Sequence, residues 1–148
     1  MKLKMYFFLL AMGAFALTFT LQGCGDDDND GISVPAELVD ALAREYPDAR
    51  RVEWEMQGTY YVADFYEGNI EKEAWFTKDG VWLHTTWDVL VRDLPQVAQA
   101  AVTAAYPGYV IDDVEFVETP GGDYYEVEME QGKKEVRVKV TAEGEIVA

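Results

Sequence analysis

The residues best suited to chemistry lie close together near the start of the chain. Cys24 is the only cysteine, and it follows an uncharged run and precedes the acidic stretch GDDDND. A single cysteine cannot form an intramolecular disulfide, so its thiol is available for another reaction, such as acylation. We predict that Cys24 is a lipid attachment point. The alternative is an ordinary thiol at the end of a plain signal peptide.

The acidic run after Cys24 carries oxygen ligands at regular spacing. Four carboxylates and one glycine match the EF-hand loop pattern for calcium: Asp26, Asp28, Asp30, Gly31 and Glu37. Against calcium, no helix-forming segment precedes this loop, and Ser33 and Pro35 occupy its later positions. The alternative is a solvated spacer, because like charges extend a chain. Calcium is the only cofactor that the sequence suggests.

The rest of the chain lacks the parts of a nucleophilic or zinc-dependent enzyme. His84 is the only histidine and Ser33 is the only serine. A Ser-His or Cys-His pair or a His-rich zinc site is therefore not expected. Paired carboxylates suffice for glycoside hydrolysis, but acids that alternate with valines are typical of the solvated face of a sheet. We predict that the protein is not an enzyme.

The first residues have the pattern of an export signal. Lys2 and Lys4 precede an uncharged run at residues 5–21, which has no basic stop-transfer flank. The next residues, LQGC, resemble a bacterial lipobox, in which the cysteine is acylated before cleavage. We therefore predict a lipoprotein signal peptide at residues 1–23, an acidic tether at residues 24–32 and a folded domain at residues 33–148.

The charge of the chain restricts its partners. The net charge is −16 at pH 7. Removal of Lys2 and Lys4 with the signal leaves 10 of the 12 basic residues against 28 acidic ones, a net charge of −18. Such a surface repels phosphate groups and favours cationic partners. Nucleic acid is therefore excluded as a partner, and we expect membrane contact through the N-terminal lipid only.

The folded domain contains the same pattern twice. The segment from Val34 aligns in unbroken order with the segment from Leu94. The aligned pairs are Pro35 with Pro95, YP at 46–47 with YP at 106–107, VEW at 52–54 with VEF at 114–116, YY at 60–61 with YY at 124–125, and TKDG at 77–80 with TAEG at 141–144. We interpret residues 33–91 and 92–148 as two repeats.

Each repeat begins with a helix and continues as a meander of strands. Ser33 and Asp93 are the expected N-caps, with Gln96 completing a capping box on Asp93, and Pro47 and Pro107 end the helices. Apolar residues then alternate with period two, which predicts half-buried antiparallel strands. A unit of about 55 residues buries too little surface to be stable alone. The predicted fold class is α+β, with tandem helix-plus-antiparallel-meander repeats that share one antiparallel sheet and both helices on one face.

These features resemble one bacterial family. The helix ending in Tyr-Pro, the Val-Glu-aromatic strand, the Tyr-Tyr strand and the closing Asp-Gly or Glu-Gly turn are similar to those of the PepSY-like, β-lactamase-inhibitor-protein-like (BLIP-like) lipoproteins of Bacteroidetes. The resemblance covers nearly all of residues 33–148 and implies a binding or inhibitory role. The acidic run also resembles the surface-export signal of Bacteroidetes lipoproteins. The target-contacting residues of the inhibitor do not align with this sequence, so the resemblance assigns no site residue.

The alternation within the strands predicts which side chains face away from the helices. If Val52, Trp54 and Met56 face the helices, Glu53 and Glu55 face away, and the same reasoning extends to the next strands. The predicted partner-binding residues are Tyr60, Tyr66, Trp75, Glu53, Glu55, Asp64, Glu73 and Tyr124. Exposed aromatic side chains rimmed by charge are typical of protein interfaces. Alternatively, these aromatic residues merely suit strands, or a loop or a second copy covers them.

The expected function follows from the anchor, the charge and this open face. We expect a lipid-anchored, non-catalytic binding protein on the outer membrane that faces the cell surface or the periplasm. It would bind a protein or peptide of basic character, or inhibit a protease or another hydrolase, through the open sheet face. The alternative is an acidic calcium-binding or accessory surface lipoprotein.

Overall fold

The computed structural model describes residues 32–147. The signal peptide, Cys24 and the three aspartates Asp26, Asp28 and Asp30 lie outside the described residues, so the predictions for them remain predictions. The elements are α1 (Ala36–Glu45), β1 (Arg50–Gln57), β2 (Tyr60–Glu67), β3 (Ile70–Thr77), β4 (Trp82–Val89), a 3₁₀ helix (Val91–Asp93), α2 (Gln96–Ala105), β5 (Val110–Glu118), β6 (Tyr124–Gln131), β7 (Lys134–Val140) and β8 (Ile146–Val147).

The strands form one open antiparallel sheet. Its eight strands lie side by side in chain order, from β1 at one edge to β8 at the other. The element order of one helix and four strands occurs twice, and we call α1 to β4 the first half and α2 to β8 the second half. The predicted α+β class and single antiparallel sheet are confirmed. Within residues 32–147, neither helix has the length and hydropathy needed to cross a membrane.

Each helix covers a separate hydrophobic cluster on the sheet. Leu38 of α1 packs with Phe76 of β3 in the first cluster, and both side chains are fully buried. Val102 of α2 packs with Val127 of β6 in the second cluster, and these two are fully buried as well. Burying such side chains supplies about 1.5–3 kcal/mol each. The amphipathic helices thus provide the apolar cover that one face of the sheet requires.

Strand β4 shows that the two clusters lie on the same face of the sheet. Thr85 pairs with Ala74, a member of the first cluster. Val89 lies four residues further along β4, on the same face, and packs against the second cluster. Both helices therefore cover one face, which we call the helix face, and leave the opposite outer face open.

The helix starts differ from the prediction. The N-caps are Pro35 and Pro95, with extended backbone and no side-chain hydrogen bond, rather than Ser33 and Asp93. An N-cap at Ser33 or Asp93 would require Val34 or Leu94 to be helical, and helical geometry is disfavoured for a residue that precedes proline. The predicted capping box is also wrong, because Asp93 ends the 3₁₀ helix. The Gln99 side chain instead donates hydrogen bonds to the Leu94 and Val91 carbonyls at 2.8 and 3.2 Å.

The helix C-termini and the aligned turns have the same local structure in the two halves. The C-cap of each helix is the tyrosine before a proline. In the β3–β4 and β7–β8 turns, Gly80 and Gly144 donate to the carbonyls of Thr77 and Thr141, each at 3.0 Å. Both glycines have positive φ, and a Cβ on Gly80 would lie 3.2 Å from the Glu37 carbonyl oxygen in α1. Glycine therefore allows this turn to approach the start of the helix.

One side chain predicted to be buried is exposed. Val52 and Trp54 pack in or against the first cluster, as predicted. Met56 lies on the same side of β1, but it is 49% exposed. It lies near the end of the edge strand, so a neighbouring strand covers it on one side only. Alternation fixes the side of the sheet on which a residue lies, but its burial also depends on the position of its strand in the sheet.

A buried lysine lies between the two clusters. Lys72, on the helix face of β3, is 7% exposed, and its Nζ lies 4.1 Å from the centroid of the Trp87 ring and 5.2 Å from that of Tyr46. It also donates to the Glu67 carboxylate at 2.6 Å. Tyr46 in turn donates to Glu118 of the second half at 2.8 Å, and burial raises the pKa of the Tyr46 hydroxyl. Two aromatic rings and one carboxylate thus surround the Lys72 ammonium group in place of water.

Replacing Lys72 by alanine is expected to lower the free energy of unfolding by about 2 kcal/mol, because a desolvated cation–π contact contributes that much. Urea denaturation measures the loss. Lys133→Ala, at an exposed turn, is the matched control and should change stability by no more than about 0.5 kcal/mol. Equal effects of the two substitutions would show that Lys72 adds nothing specific to the packing.

Candidate binding face

All eight residues predicted to bind a partner lie on the outer face of the sheet. Strand pairing places Glu53 opposite Asp64 and Asp64 opposite Glu73, which forms a row of carboxylates across β1, β2 and β3. In the next row, Val62 lies between Glu55 and Trp75. The alternation along β2 and β6 places Tyr60, Tyr66 and Tyr124 on the same face. The predicted orientation of these side chains is therefore confirmed, while their role in binding remains a prediction.

Trp75 is the centre of the aromatic part of this face. Its ring lies 6.1 Å from the Tyr60 ring, and it stacks on the His84 ring at 5.5 Å with an interplanar angle of 18°. Its indole Nε1 donates to the Glu73 carboxylate at 2.5 Å. These contacts hold Trp75 in one orientation while it remains partly exposed. Val62, also on this face, is fully buried between its cross-strand neighbours.

Burial and the neighbouring carboxylates raise the proton affinity of Asp64. Burial, followed by the negative charges of Glu73 and Glu55, raises the pKa of Asp64 to about 6. The pKa of Glu115, on β5 of the second half, is raised mainly by burial. A cation placed on this face would relieve the repulsion between these groups.

The Asp64 carboxylate makes stability depend on pH. Its pKa is higher in the folded state than in the unfolded chain, so the folded state is favoured at low pH and loses that advantage as pH rises through about 6. Asp64→Asn should therefore increase the free energy of unfolding at pH 7 by about 1 kcal/mol, after allowance for solvent screening, and by much less near pH 4. Denaturant unfolding at the two pH values measures this difference.

The matched control for Asp64→Asn is Asp40→Asn, on the exposed side of α1. It removes the same charge and should give no comparable difference between the two pH values. If Asp64→Asn gave the same stability change at both pH values, the pKa of Asp64 would not be raised in the folded state.

The structure extends the face beyond the residues named from the sequence. A cavity of about 300 Å³ lies at its centre, across β3 to β6. Seven of its lining residues were not among the predicted site residues: Leu83, His84, Thr86, Glu115, Val117, Thr119 and Glu126. The repeat alignment contained a signal for Glu115, because it aligns with Glu53. His84 had been interpreted only as a strand residue, and burial lowers its pKa, so its imidazole is neutral at pH 7.

Basic residues contact outer-face side chains in both halves, and in the first half Arg51 lies 5.9 Å from the centroid of the Tyr66 ring. In the second half, Arg137 lies 3.1 Å from Glu128 and 3.8 Å from Glu126. Lys139 lies 5.2 Å from the centroid of the Tyr124 ring. The carboxylates around Asp64 in the first half are instead surrounded by other carboxylates. The first half therefore carries the stronger local negative charge.

Of the four proposed calcium ligands, the structure describes only one. Glu37 lies in the first turn of α1 and is exposed, while the aspartates of that loop lie outside the described residues. Within residues 32–147, three other carboxylates lie within 4.8 Å of one another: Asp112, Glu128 and Glu130. Two of the three are exposed, and Arg137 pairs with Glu128. Calcium at the acidic run remains a prediction.

Comparison with known proteins identifies the family. Residues 59–148 match the family model described as "Putative beta-lactamase-inhibitor-like, PepSY-like". No curated protein matches the chain. A BLIP-like protein from Bacteroides fragilis NCTC 9343 has a crystal structure similar to this fold, with a TM-score of 0.72 and 33% identity over 83% of this chain and 89% of that one.

Two further crystal structures have the same fold. A DUF2874 family protein from Bacteroides uniformis ATCC 8492 has a TM-score of 0.68 and 28% identity, over 77% of this chain and 86% of that one. Another from Bacteroides ovatus ATCC 8483 has a TM-score of 0.70 and 25% identity, over 80% and 87%. The chain therefore belongs to the PepSY-like, β-lactamase-inhibitor-like family.

Proposed function

We propose that the protein is a lipid-anchored, non-catalytic binding protein of the cell envelope, and that its outer face binds a protein or peptide of basic character. The observation that supports this most is the position of Trp75 and Tyr60 beside the row of carboxylates formed by Glu53, Asp64 and Glu73, where burial and the neighbouring negative charges raise the pKa of Asp64 to about 6. Aromatic side chains provide most of the binding energy at many interfaces, and negative charge selects a cationic partner. A partner that is itself a protease or another hydrolase would make the protein an inhibitor.

Membership of the family supports binding rather than catalysis, because the family description and the B. fragilis relative both refer to an inhibitor-like protein. The lipobox-like LQGC sequence supports attachment through Cys24. The anchor would hold the protein on the outer membrane, facing the cell surface or the periplasm, with residues 24–32 as the tether.

Neutralising the outer face tests the binding proposal. Immobilised protein with Asp64→Asn and Glu73→Gln should lose capture of its partner from an envelope fraction. The matched control carries Asp40→Asn and Glu143→Gln, which remove the same charge from exposed positions of α1 and the β7–β8 turn. The control should capture the partner as the unmodified protein does. Equal capture by both variants would contradict binding through the outer face.

Replacing Cys24 by alanine tests the anchor. We expect the variant to fold normally but to move from the detergent phase to the aqueous phase, because an acyl chain contributes about 0.8 kcal/mol for each buried methylene group. Intact-mass spectrometry of the unmodified protein should show acyl chains and loss of residues 1–23. A mature protein that retained those residues, or lacked acyl mass, would show that the anchor is absent.

A further inference from the structure

The cavity at the centre of the outer face lies where the two halves join. Trp75 on β3 and Tyr124 on β6 line two of its sides, and the smaller side chains of Thr86 and Val117 lie on the two strands between them. Three strand spacings separate β3 from β6, which places the two aromatic residues about 14 Å apart at the backbone. The cavity volume of about 300 Å³ is at the lower end of the range for ligand sites. It suits a side chain or a compact group.

The lining of the cavity selects a cation. Three carboxylate residues line it, namely Glu73, Glu115 and Glu126, and the lining contains no lysine or arginine. Arg137, outside the lining, lies 3.8 Å from Glu126, so Glu73 and Glu115 are the carboxylates best placed to bind a cation. Its one imidazole, His84, is neutral at pH 7 because burial lowers its pKa. The Glu73 carboxylate is held by the Trp75 indole at 2.5 Å, which fixes the position of one negative group. The cavity therefore combines a fixed negative charge with aromatic sides.

The arrangement favours an extended cation over a metal ion. Within residues 32–147, the carboxylates that converge within 4.8 Å of one another are Asp112, Glu128 and Glu130, not the three that line the cavity. A metal ion requires its oxygen ligands to converge at short distance. A guanidinium group spreads its charge and its five N–H donors over a plane, so it can reach separated carboxylates and stack on an aromatic ring.

We propose that the cavity receives an arginine side chain of the bound partner. The guanidinium group would stack on an aromatic side and donate hydrogen bonds to the Glu115 and Glu73 carboxylates. Lysine would bind more weakly, because its compact ammonium group cannot stack on a ring and does not present its hydrogen-bond donors in a plane. This inference rests on the proposed function and specifies which part of the partner the centre of the face recognises.

An NMR titration of the processed, nitrogen-labelled protein in detergent tests the assignment. The probes are the N-acetyl amides of arginine, lysine and citrulline, the last being a neutral analogue of arginine with nearly the same shape. The readout is the indole N–H signal of Trp75, assigned from the spectrum of Trp75→Phe. We expect a saturable shift with the arginine probe and at least about tenfold weaker binding of the citrulline probe, because charge-assisted hydrogen bonds are lost.

Two variants and one control connect the titration to the cavity. Glu115→Gln and Glu73→Gln should each weaken binding of the arginine probe by about tenfold, whereas Glu143→Gln, on an exposed turn, should leave it unchanged. The remaining spectrum shows whether each variant is folded. Equal binding of arginine and citrulline, stronger binding of lysine, or unchanged binding in both cavity variants would overturn the proposal.

The titration and the capture experiment fail in distinguishable ways. If capture depends on the outer face but the arginine probe does not shift Trp75, the arginine assignment is wrong and the proposed function stands. If the arginine probe binds in the cavity but no partner depends on the outer face for capture, the site takes a free guanidinium compound. Partner recognition through this cavity would then be wrong, together with the proposed function.

Discussion

Trp75→Ala is expected to weaken binding of the partner by about 2 kcal/mol or more, a loss of roughly thirtyfold in affinity. The ring lies on the open face between Tyr60 and His84 and is not part of either helix-face cluster. Its removal should therefore cost the free protein no more than about 1 kcal/mol. Titration of the captured partner measures the affinity, and urea denaturation measures the stability.

Trp54→Ala is the matched control, because it removes the same side chain from the helix face. Trp54 is 8% exposed and packs on Phe76 with the ring centroids 5.7 Å apart. Its removal should lower the free energy of unfolding by about 3–5 kcal/mol, as for other large-to-small core substitutions. If Trp75→Ala destabilised the protein as much as Trp54→Ala and left binding unchanged, Trp75 would be a structural residue only.

Separating the two halves should prevent either from folding properly. β4 and β5 pair over five residues across the boundary, and Trp87 packs on Phe116 with the ring centroids 4.6 Å apart. A unit of about 55 residues buries only roughly 60% of its unfolded surface, so it has little stability to replace these contacts. Two polypeptides divided between Val91 and Leu94 should each unfold broadly or aggregate in thermal melting followed by circular dichroism.

Mixing the two polypeptides provides the control for this experiment. If the sheet needs both halves, the mixture should recover the circular dichroism spectrum of the intact protein and a single cooperative transition. Two sharp, independent transitions for the isolated halves would contradict a shared structural unit.

The sequence predicted the sides of the sheet better than it predicted burial or capping. Period-two alternation placed Trp75 and Glu73 on the outer face, because each residue along a strand must point opposite to the next. The same rule could not show that Met56 would be exposed, since alternation does not reveal which strand lies at the edge of the sheet. Asp93 had the right residue type for an N-cap, but the geometry before Pro95 moved the helix start.

The features that could not be predicted from the sequence depend on contacts between segments that are far apart in the chain. Lys72 contacts the rings of Tyr46 and Trp87, which lie in two other segments of the chain. No local sequence pattern predicts these contacts. The cavity likewise needs β4 to pair with β5, which brings Glu115 near Trp75 from the other half of the chain. Repeat alignment indicated that Glu115 corresponds to Glu53, yet the register between the halves was needed to place it in the site.

The central claim is that the outer face, and not the helix face, contacts the partner. Site-specific photo-crosslinking in cells tests it, with p-benzoylphenylalanine placed in the full chain at Tyr60 or at Val97. Tyr60 is 42% exposed on the outer face, and Val97 is 59% exposed on α2, so both positions accept the probe. We expect a discrete covalent adduct with an envelope protein from position 60 and none from position 97. An adduct from position 97 alone would contradict the assignment of the binding face.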